Sequence, residues 1–298
     1  MKQTLITYLR KPRLLQWVWK KFLSFFFFEQ WILMLSTSAS HTTPNWDDFK
    51  PLMPPARHDW ADPFLWAHEG RRYIFIEELP HATQRGHIAC LELDDQLNIV
   101  SKKNILERPY HLSYPFLFVY DGQLYMMPET KSNRAIELYK CVHFPDKWEF
   151  EKTLMPDTKA VDATLIHKDE KWWLFVNIEE EGGSSWDTLH LFFADNPLTD
   201  KWTPHPRNPI VKNVNTARPA GYILIQDGTI IRPSQDCSVR YGYATNFNHI
   251  TVLNEADYVE KCERTFKPPH RGNILGTHTW NELGNIKVID AILRRRKF

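Results

Sequence analysis

Asp62, Asp162, Arg218 and His278 stand at or beside the openings of successive repeats, and that shared phase makes them candidates for one site. The openers are Asp62, Tyr114, Asp162, Arg218 and Thr277, spaced 52, 48, 56 and 59 residues apart. Glu77 and Glu129 each follow an opener by fifteen residues. A carboxyl group held in such a place can take or give a proton. Arg218 and Arg232 offer two guanidinium groups that suit a phosphate or carboxylate through paired hydrogen bonds. Gln235 and Asp236 are suited to sugar hydroxyls, and His111, Ser113 and Tyr114 to the wall of a subsite. Each has a structural alternative. Asp-Pro and Tyr-Pro can simply start strands, Glu129 can cap a turn through Thr130, and the two arginines can pair with Asp162 and Asp236 as a buried network. A lone His is more often structural than a ligand. An Asp at one place in repeats one and three, with a His in repeat five, is harder to explain as strand punctuation.

The elements that must position these residues are short strands. Each repeat has an opener, an apolar run, a turn, a second apolar run and a polar end. The turns are Glu69-Gly70, Asp121-Gly122, Asp169-Glu170, Asp227-Gly228 and Leu283-Gly284. A period near 50 residues built of short strands marks a β-propeller, one four-stranded blade per repeat. Aromatic and β-branched runs at 72–76, 124–127 and 172–176 have strand character. Outer strands are expected at 87–93, 135–141, 189–194 and 240–245, with Trp-bearing fourth strands or their approaches at 147–150 and 201–203. Residues 254–262 read as a short helix or as a turn leading to a strand. A strand at 30–36 would close the ring by joining the incomplete last blade, which removes an exposed sheet edge. The expected fold is all-β: a single five-bladed β-propeller over residues 29–298, preceded by a short basic, aromatic, helical segment over residues 1–28. Ser36 to Pro44 reads as a loop.

Composition narrows the function. With 43% apolar and 14% aromatic residues the chain can bury a large core, and its twelve tryptophans serve that core or, where exposed, stack on sugar faces. A net charge of +1 gives no global field for nucleic acid. Cys90, Cys141, Cys237 and Cys262 lack metal-ligand spacing and read as reduced, mostly buried thiols of a cytoplasmic protein. There is no Gly-rich phosphate loop, no Cys/His metal cluster and no Ser nucleophile elbow. Lys2, Arg10, Lys11, Arg13, Lys20 and Lys21 lie among Leu, Trp and Tyr residues at the N-terminus. The apolar run after them is broken by Glu29 and Gln30 and falls short of the ~20 residues that span a bilayer. Such a segment either packs on the propeller or touches an anionic membrane face or a partner. The Arg294-Arg295-Arg296-Lys297 tail reads as solvated charge that adds to such contact at low salt.

Several motifs together carry a resemblance. They are Trp60-Ala61-Asp62-Pro63-Phe64, His111-Leu112-Ser113-Tyr114-Pro115, Met127-Pro128-Glu129-Thr130, Val161-Asp162-Ala163-Thr164-Leu165, Ala217-Arg218-Pro219-Ala220-Gly221, Arg232-Pro233-Ser234-Gln235-Asp236-Cys237, Tyr241-Gly242 and Gly276-Thr277-His278-Thr279. In this order they resemble the N-terminal domain of plant glucosamine inositolphosphorylceramide transferases, over about residues 29–290. The fold so implied is similar to the five-bladed propellers of arabinanases, xylosidases, invertases and levansucrases. Those enzymes imply a two-carboxyl mechanism for glycosidic bonds. By that resemblance Asp62 is the base or nucleophile, and Asp162 raises the acid's pKa and orients it. The blade-four acid of that pattern is replaced by Arg218, which cannot deliver a proton at neutral pH. Two repairs follow. Either Glu129 serves as the acid, or Arg218 and Arg232 grip an anionic donor such as a nucleotide sugar or a lipid-linked glycan phosphate. His278 stands where such propellers place a His near an axial divalent cation or water; no other cofactor is expected. The preferred expectation is a carbohydrate-active enzyme of glycan biosynthesis, a glycosyltransferase or glycoside hydrolase-like protein. It would be cytoplasmic, at the inner membrane face, with a sugar or sugar-phosphate ligand and no nucleic acid. The rival is a non-catalytic glycan-binding or scaffolding propeller that serves a partner transferase.

Overall fold

The computed structural model describes residues 25–37 and 45–297. The chain forms five antiparallel sheets around one axis, a five-bladed β-propeller. Blade one is built in sequence order from His58–His68, Arg71–Pro80, His87–Leu93 and Ile99–Leu106. Blade two repeats this with Ser113–Tyr120, Gln123–Thr130, Ala135–His143 and Lys147–Met155. Blade three begins with Ala160–Lys168, Lys171–Ile178 and Thr188–Ala194, then breaks its edge into Thr203–Pro204 and Val211–Lys212. The expected strand at 201–203 is therefore two residues long and starts after Trp202. Blade four has Leu224–Gln226, Thr229–Asp236, Ala244–Leu253 and Tyr258–Phe266. Of the two readings of residues 254–262, the turn leading to a strand is the one formed.

Blade five joins the two ends of the chain. Ile286–Arg296 pairs with Ile274–Gly276 and Trp280–Leu283 on one side and with Phe27–Ser36 on the other, and Lys50–Leu52 completes the edge. The N-terminal strand thus closes the ring as expected, and it starts at Phe27, so Phe27 and Phe28 are extended rather than helical. Residues 1–24 of the expected helical segment, and most of the expected loop, lie outside the described residues.

The core lies between blades. Leu33, Leu35 and Val288 of blade five pack on Trp60, Ile74 and Leu91 of blade one. Trp173, Phe175 and Leu191 of blade three meet Ile230 and Ile250 of blade four. Phe247 and Phe266 meet Ile32, Trp280 and Ile289 where blade four joins blade five. Each central strand is covered on both faces, which is why runs such as Tyr73-Ile74-Phe75-Ile76 are apolar throughout instead of alternating.

One expected strand is displaced. The strand at 240–245 starts only at Ala244. Arg240 to Tyr243 turn back instead, with Gly242 at φ +63° and no room for a Cβ, which would sit 2.8 Å from the Trp31 ring and 3.1 Å from His278. That turn carries Tyr241 over the channel mouth.

Candidate active site

Three openers share one backbone device. In blade one the ladder steps from Ala61↔Glu77 to Phe64↔Phe75, three residues against two. The same bulge lies between Ser113/Phe116 in blade two and Val161/Thr164 in blade three. Within each bulge the opener is left-handed: φ is +49° at Asp62, +45° at Tyr114 and +53° at Asp162. Non-glycine residues rarely adopt this conformation, and a bulge re-aims the side chain it carries. The strain is repeated three times where the inner strands meet the channel mouth.

The re-aimed side chains are locked into their neighbours. Asp62 Oδ2 accepts the Tyr114 N–H at 3.1 Å, and Asp62 Oδ1 accepts the Thr279 hydroxyl at 2.8 Å. Asp290 Oδ2 accepts the Asp62 N–H, while Asp290 Oδ1 accepts the backbone N–H groups of His278 and Thr279. His278 Nδ1 lies 2.6 Å from Asp290 Oδ2 and 3.6 Å from Asp62 Oδ1. Trp31 stacks on the His278 ring at 4.1 Å between centroids. Arg218 donates from Nε to Asp162 Oδ2 at 2.5 Å and from Nη2 to Asp162 Oδ1 and to Glu129 Oε2. Gln235 donates to Asp162 Oδ2 at 2.9 Å. Among the described residues, Arg218 Nη1 has no hydrogen-bond partner.

These groups surround a cavity of about 250 Å³ at the channel mouth. Asp62, Glu77, Glu129, Arg218 and His278 line it, with Trp31, Asp59, His111, Ser113 and Tyr241 around its rim and walls. That volume suits one sugar ring rather than a drug-sized ligand. A larger cavity of about 750 Å³ opens further along the inner strands, at Leu65–Ala67, Tyr222–Gln226 and Glu282–Lys287. Its walls are mainly apolar, and none of the opener carboxyl groups reaches it.

Burial sets the protonation states. Glu129 is driven well above the usual carboxyl range, first by desolvation and then by the charge of Asp162, and Arg218 does not offset this. Both effects favour the protonated form of its carboxyl. Arg218 would lose affinity for its proton on burial, but Asp162, Tyr241 and Glu129 outweigh that and keep it charged. Desolvation lifts Asp62 to about 7 against the opposing pull of His278. Burial pulls His278 down, but Asp290 and Asp62 raise it to about 9. At His111, desolvation is outweighed by Glu77, 3.0 Å from Nε2, so the net shift is upward. The Gly86 N–H donates to His111 Nδ1 at 2.9 Å, and a Cβ on Gly86 would lie 2.7 Å from that ring.

These shifts fix a pH dependence. Asp62 binds its proton up to about 7 in the folded protein and up to about 3.8 when unfolded. The stability linked to that proton is present in full below about 3.8 and is lost as pH rises through about 7. His278 acts in the same direction over the window from 6.5 to about 9. Asp62→Asn removes the lower limb. Relative to wild type, its urea midpoint is expected to rise steadily between pH 4.5 and pH 8. A constant difference across that range would show that Asp62 titrates normally.

The structure separates the candidates that sequence alone had grouped. Asp62, Glu129, Arg218, His278 and His111 reach the cavity, and Asp162 and Gln235 lie behind them. Arg232 does not. Its guanidinium turns away from the channel and is held by Glu260 and by the carbonyl groups of Thr216 and Ala217, so it does not stand beside Arg218 as the expected pair requires. It sits one register step from Pro233, and neighbouring strand positions face opposite ways. Asp236 caps a turn through the N–H and hydroxyl of Ser238. The Tyr114 side chain enters the core against Phe64 and bonds Thr164 and Gly221, so it is no wall residue. Asp290, Trp31, Tyr241 and Asp59 are site residues that sequence reasoning missed. Asp290 had a signal, since it is the polar end of the fifth repeat. The donor atoms of Asp62, His278 and Asp290 all lie within 4.8 Å of one another, a set able to hold a cation. His278 is already bonded to Asp290, so an ion would have to replace the proton between them.

The fold matches solved glycosidase structures at low identity. A family 117 glycoside hydrolase of Zobellia galactanivorans superposes with a TM-score of 0.56 and 12% identity, covering 89% of this chain and 90% of that one. An exo-1,5-α-L-arabinanase from a bovine ruminal metagenomic library gives 0.53 and 17%, covering 82% and 95%. Such likeness shows the fold alone. Among curated proteins, glucosamine inositolphosphorylceramide transferase 1 of Oryza sativa subsp. japonica is 34% identical over 204 residues, and that of Arabidopsis thaliana 33%. Each match covers 67% of this chain, and it takes in 27% of the rice protein and 26% of the Arabidopsis one, so the chain matches only about a quarter of their length. The family model for the N-terminal part of glucosamine inositolphosphorylceramide transferase 1 matches residues 55–290. The five-bladed chain with its three bulged openers therefore has a known lineage, and it belongs to the family of glucosamine inositolphosphorylceramide transferase 1 N-terminal domains.

Proposed function

We propose that the channel mouth is a carbohydrate-active site that makes or breaks a glycosidic bond, with transfer preferred over hydrolysis. Glu129 gives the proton to the leaving oxygen, and Asp62 acts as base or nucleophile on the other side of the sugar. The observation that carries this reading is the placement of Glu129 and Asp62 on one cavity, with Arg218 bonded to both Asp162 and Glu129 and burial raising the Glu129 carboxyl well above its usual range. Two carboxyl groups whose environments differ are what acid–base chemistry on a glycoside requires. Arg218 cannot be the acid, but its Nη1 leaves one donor group for a ligand oxygen, so an anionic donor is held by one arginine rather than two. The relatives named as transferases favour transfer from a sugar donor.

The test is calorimetric binding of nucleotide sugars, sugar phosphates and neutral oligosaccharides to wild type and to Arg218→Lys. At least one sugar ligand is expected to bind wild type. An anionic one is expected to lose about tenfold in affinity in the variant, the scale of one charge-assisted hydrogen bond. If no sugar-bearing ligand binds, the reading fails. A second reading is a binding propeller that serves a partner transferase. It is favoured by the three quarters of each curated relative that this chain does not match. That reading predicts sugar binding without turnover, and little change in affinity on Asp62→Asn.

A further inference from the structure

The ribbon that closes the ring runs past the channel mouth. Trp31 lines the cavity, and Glu29, two residues before it, pairs with Arg240 on the mouth turn at 2.7 Å. The strand pairing continues to Phe28↔Arg295 and Phe27↔Arg296, and the Lys297 N–H still donates to the Phe26 carbonyl. At about 3.4 Å per residue, the ribbon reaches roughly 14 Å beyond Trp31. Its end combines two kinds of surface. Phe25 and Phe26 are 68% and 46% exposed, and Arg295, Arg296 and Lys297 are exposed beside them.

The charge there is local. The whole chain carries only +1, yet residues 1–36 hold Lys2, Arg10, Lys11, Arg13, Lys20 and Lys21 against the single acid Glu29. At the described end of the ribbon, Arg294, Arg295 and Arg296 pair with Glu29, Phe28 and Phe27, and Lys297 follows them. Exposed aromatic rings among basic side chains, with almost no acid, match an interface that is apolar below and anionic above. A partner protein would need complementary acidic pockets, whereas a lipid headgroup layer needs only this mixture.

We propose that the ribbon end docks the channel-mouth face of the propeller onto an anionic lipid surface. The contact proposed is a peripheral one; among the described residues no helix is long and apolar enough to cross a membrane. Docked in this way, the cavity opens toward the headgroup layer, where a lipid-linked sugar acceptor or donor would present itself. The assignment does not depend on the reaction proposed above, and its failure would leave that reading intact.

The experiment is sedimentation of the full chain with large vesicles of phosphatidylglycerol and phosphatidylcholine in equal parts, compared with phosphatidylcholine alone. Binding to the anionic vesicles is expected at 50 mM NaCl and is expected to be lost at 500 mM. Arg296→Gln/Lys297→Gln is expected to weaken it roughly thirtyfold, at about fivefold per surface charge. Phe25→Ser/Phe26→Ser is expected to weaken it further with an unchanged melting temperature, since both rings are exposed. No sedimentation with anionic vesicles, equal sedimentation with neutral ones, or indifference to both variant pairs would each overturn the proposal.

Discussion

Glu129→Gln is expected to lower turnover roughly a hundred- to ten-thousand-fold, the range lost when a positioned general acid is removed. The assay uses whichever sugar ligand the calorimetric panel identifies. Glutamine keeps the shape of the side chain and can still meet Arg218 Nη2, 3.4 Å from the carboxyl in wild type. It cannot release a proton. Because burial raises the Glu129 carboxyl and so favours its protonated form, the amide is a close replacement, and the melting temperature is expected to stay close to that of wild type. Binding should also survive, so the loss should fall on kcat and spare KM. A substrate whose leaving group needs no proton should recover most of the rate. If the variant kept full activity with an ordinary leaving group, Glu129 would not be the acid.

The propeller was legible because its signal is repeated. Five openers near a 50-residue period, each followed by a strand–turn–strand run, leave little choice of architecture, and the closing strand followed from the incomplete last repeat. The same repetition placed Asp62 and Glu129 at the cavity, because equivalent positions of each blade converge on one axis. It misled at Tyr114, which occupies an opener position and adopts the opener backbone but sends its large ring into the core. Phase predicts where a Cα sits; side-chain size and polarity decide where the ring goes. Arg232 was misplaced for a different reason. It lies on the second strand of its blade, where alternate residues face alternate ways, and its partner Glu260 is 28 residues downstream on an outer strand. Trp31 was not singled out, and Tyr241 was noted as a motif without a site role, because they reach the site from the closing strand and from a turn expected to be strand. Tertiary closure brought them in, and no local pattern encodes that.

Asp162→Ala is expected to cost about 3–5 kcal/mol of stability, because it strands a buried cation. The side chains of Asp162 and Arg218 are 1% and 9% exposed, and their contacts at 2.5 and 3.3 Å join blade three to blade four. The alanine variant leaves Arg218 its 3.4 Å contact to Glu129, whose carboxyl is raised by burial, and the Tyr241 ring at 5.1 Å. Glu129 would then have reason to ionise. Loss of the Asp162 charge would lower its carboxyl from that raised position, partly repairing the charge balance and weakening the proposed acid. Stability and catalysis are thus coupled through one arginine. A cycle with Arg218→Met separates the two effects, since the double variant Asp162→Ala/Arg218→Met removes both charges and is expected to recover most of the lost stability while staying inactive. Urea unfolding of the four proteins gives the coupling directly. If the double variant were as unstable as the sum of the singles, the pair would not interact, and burial alone would remain to account for the raised Glu129 carboxyl.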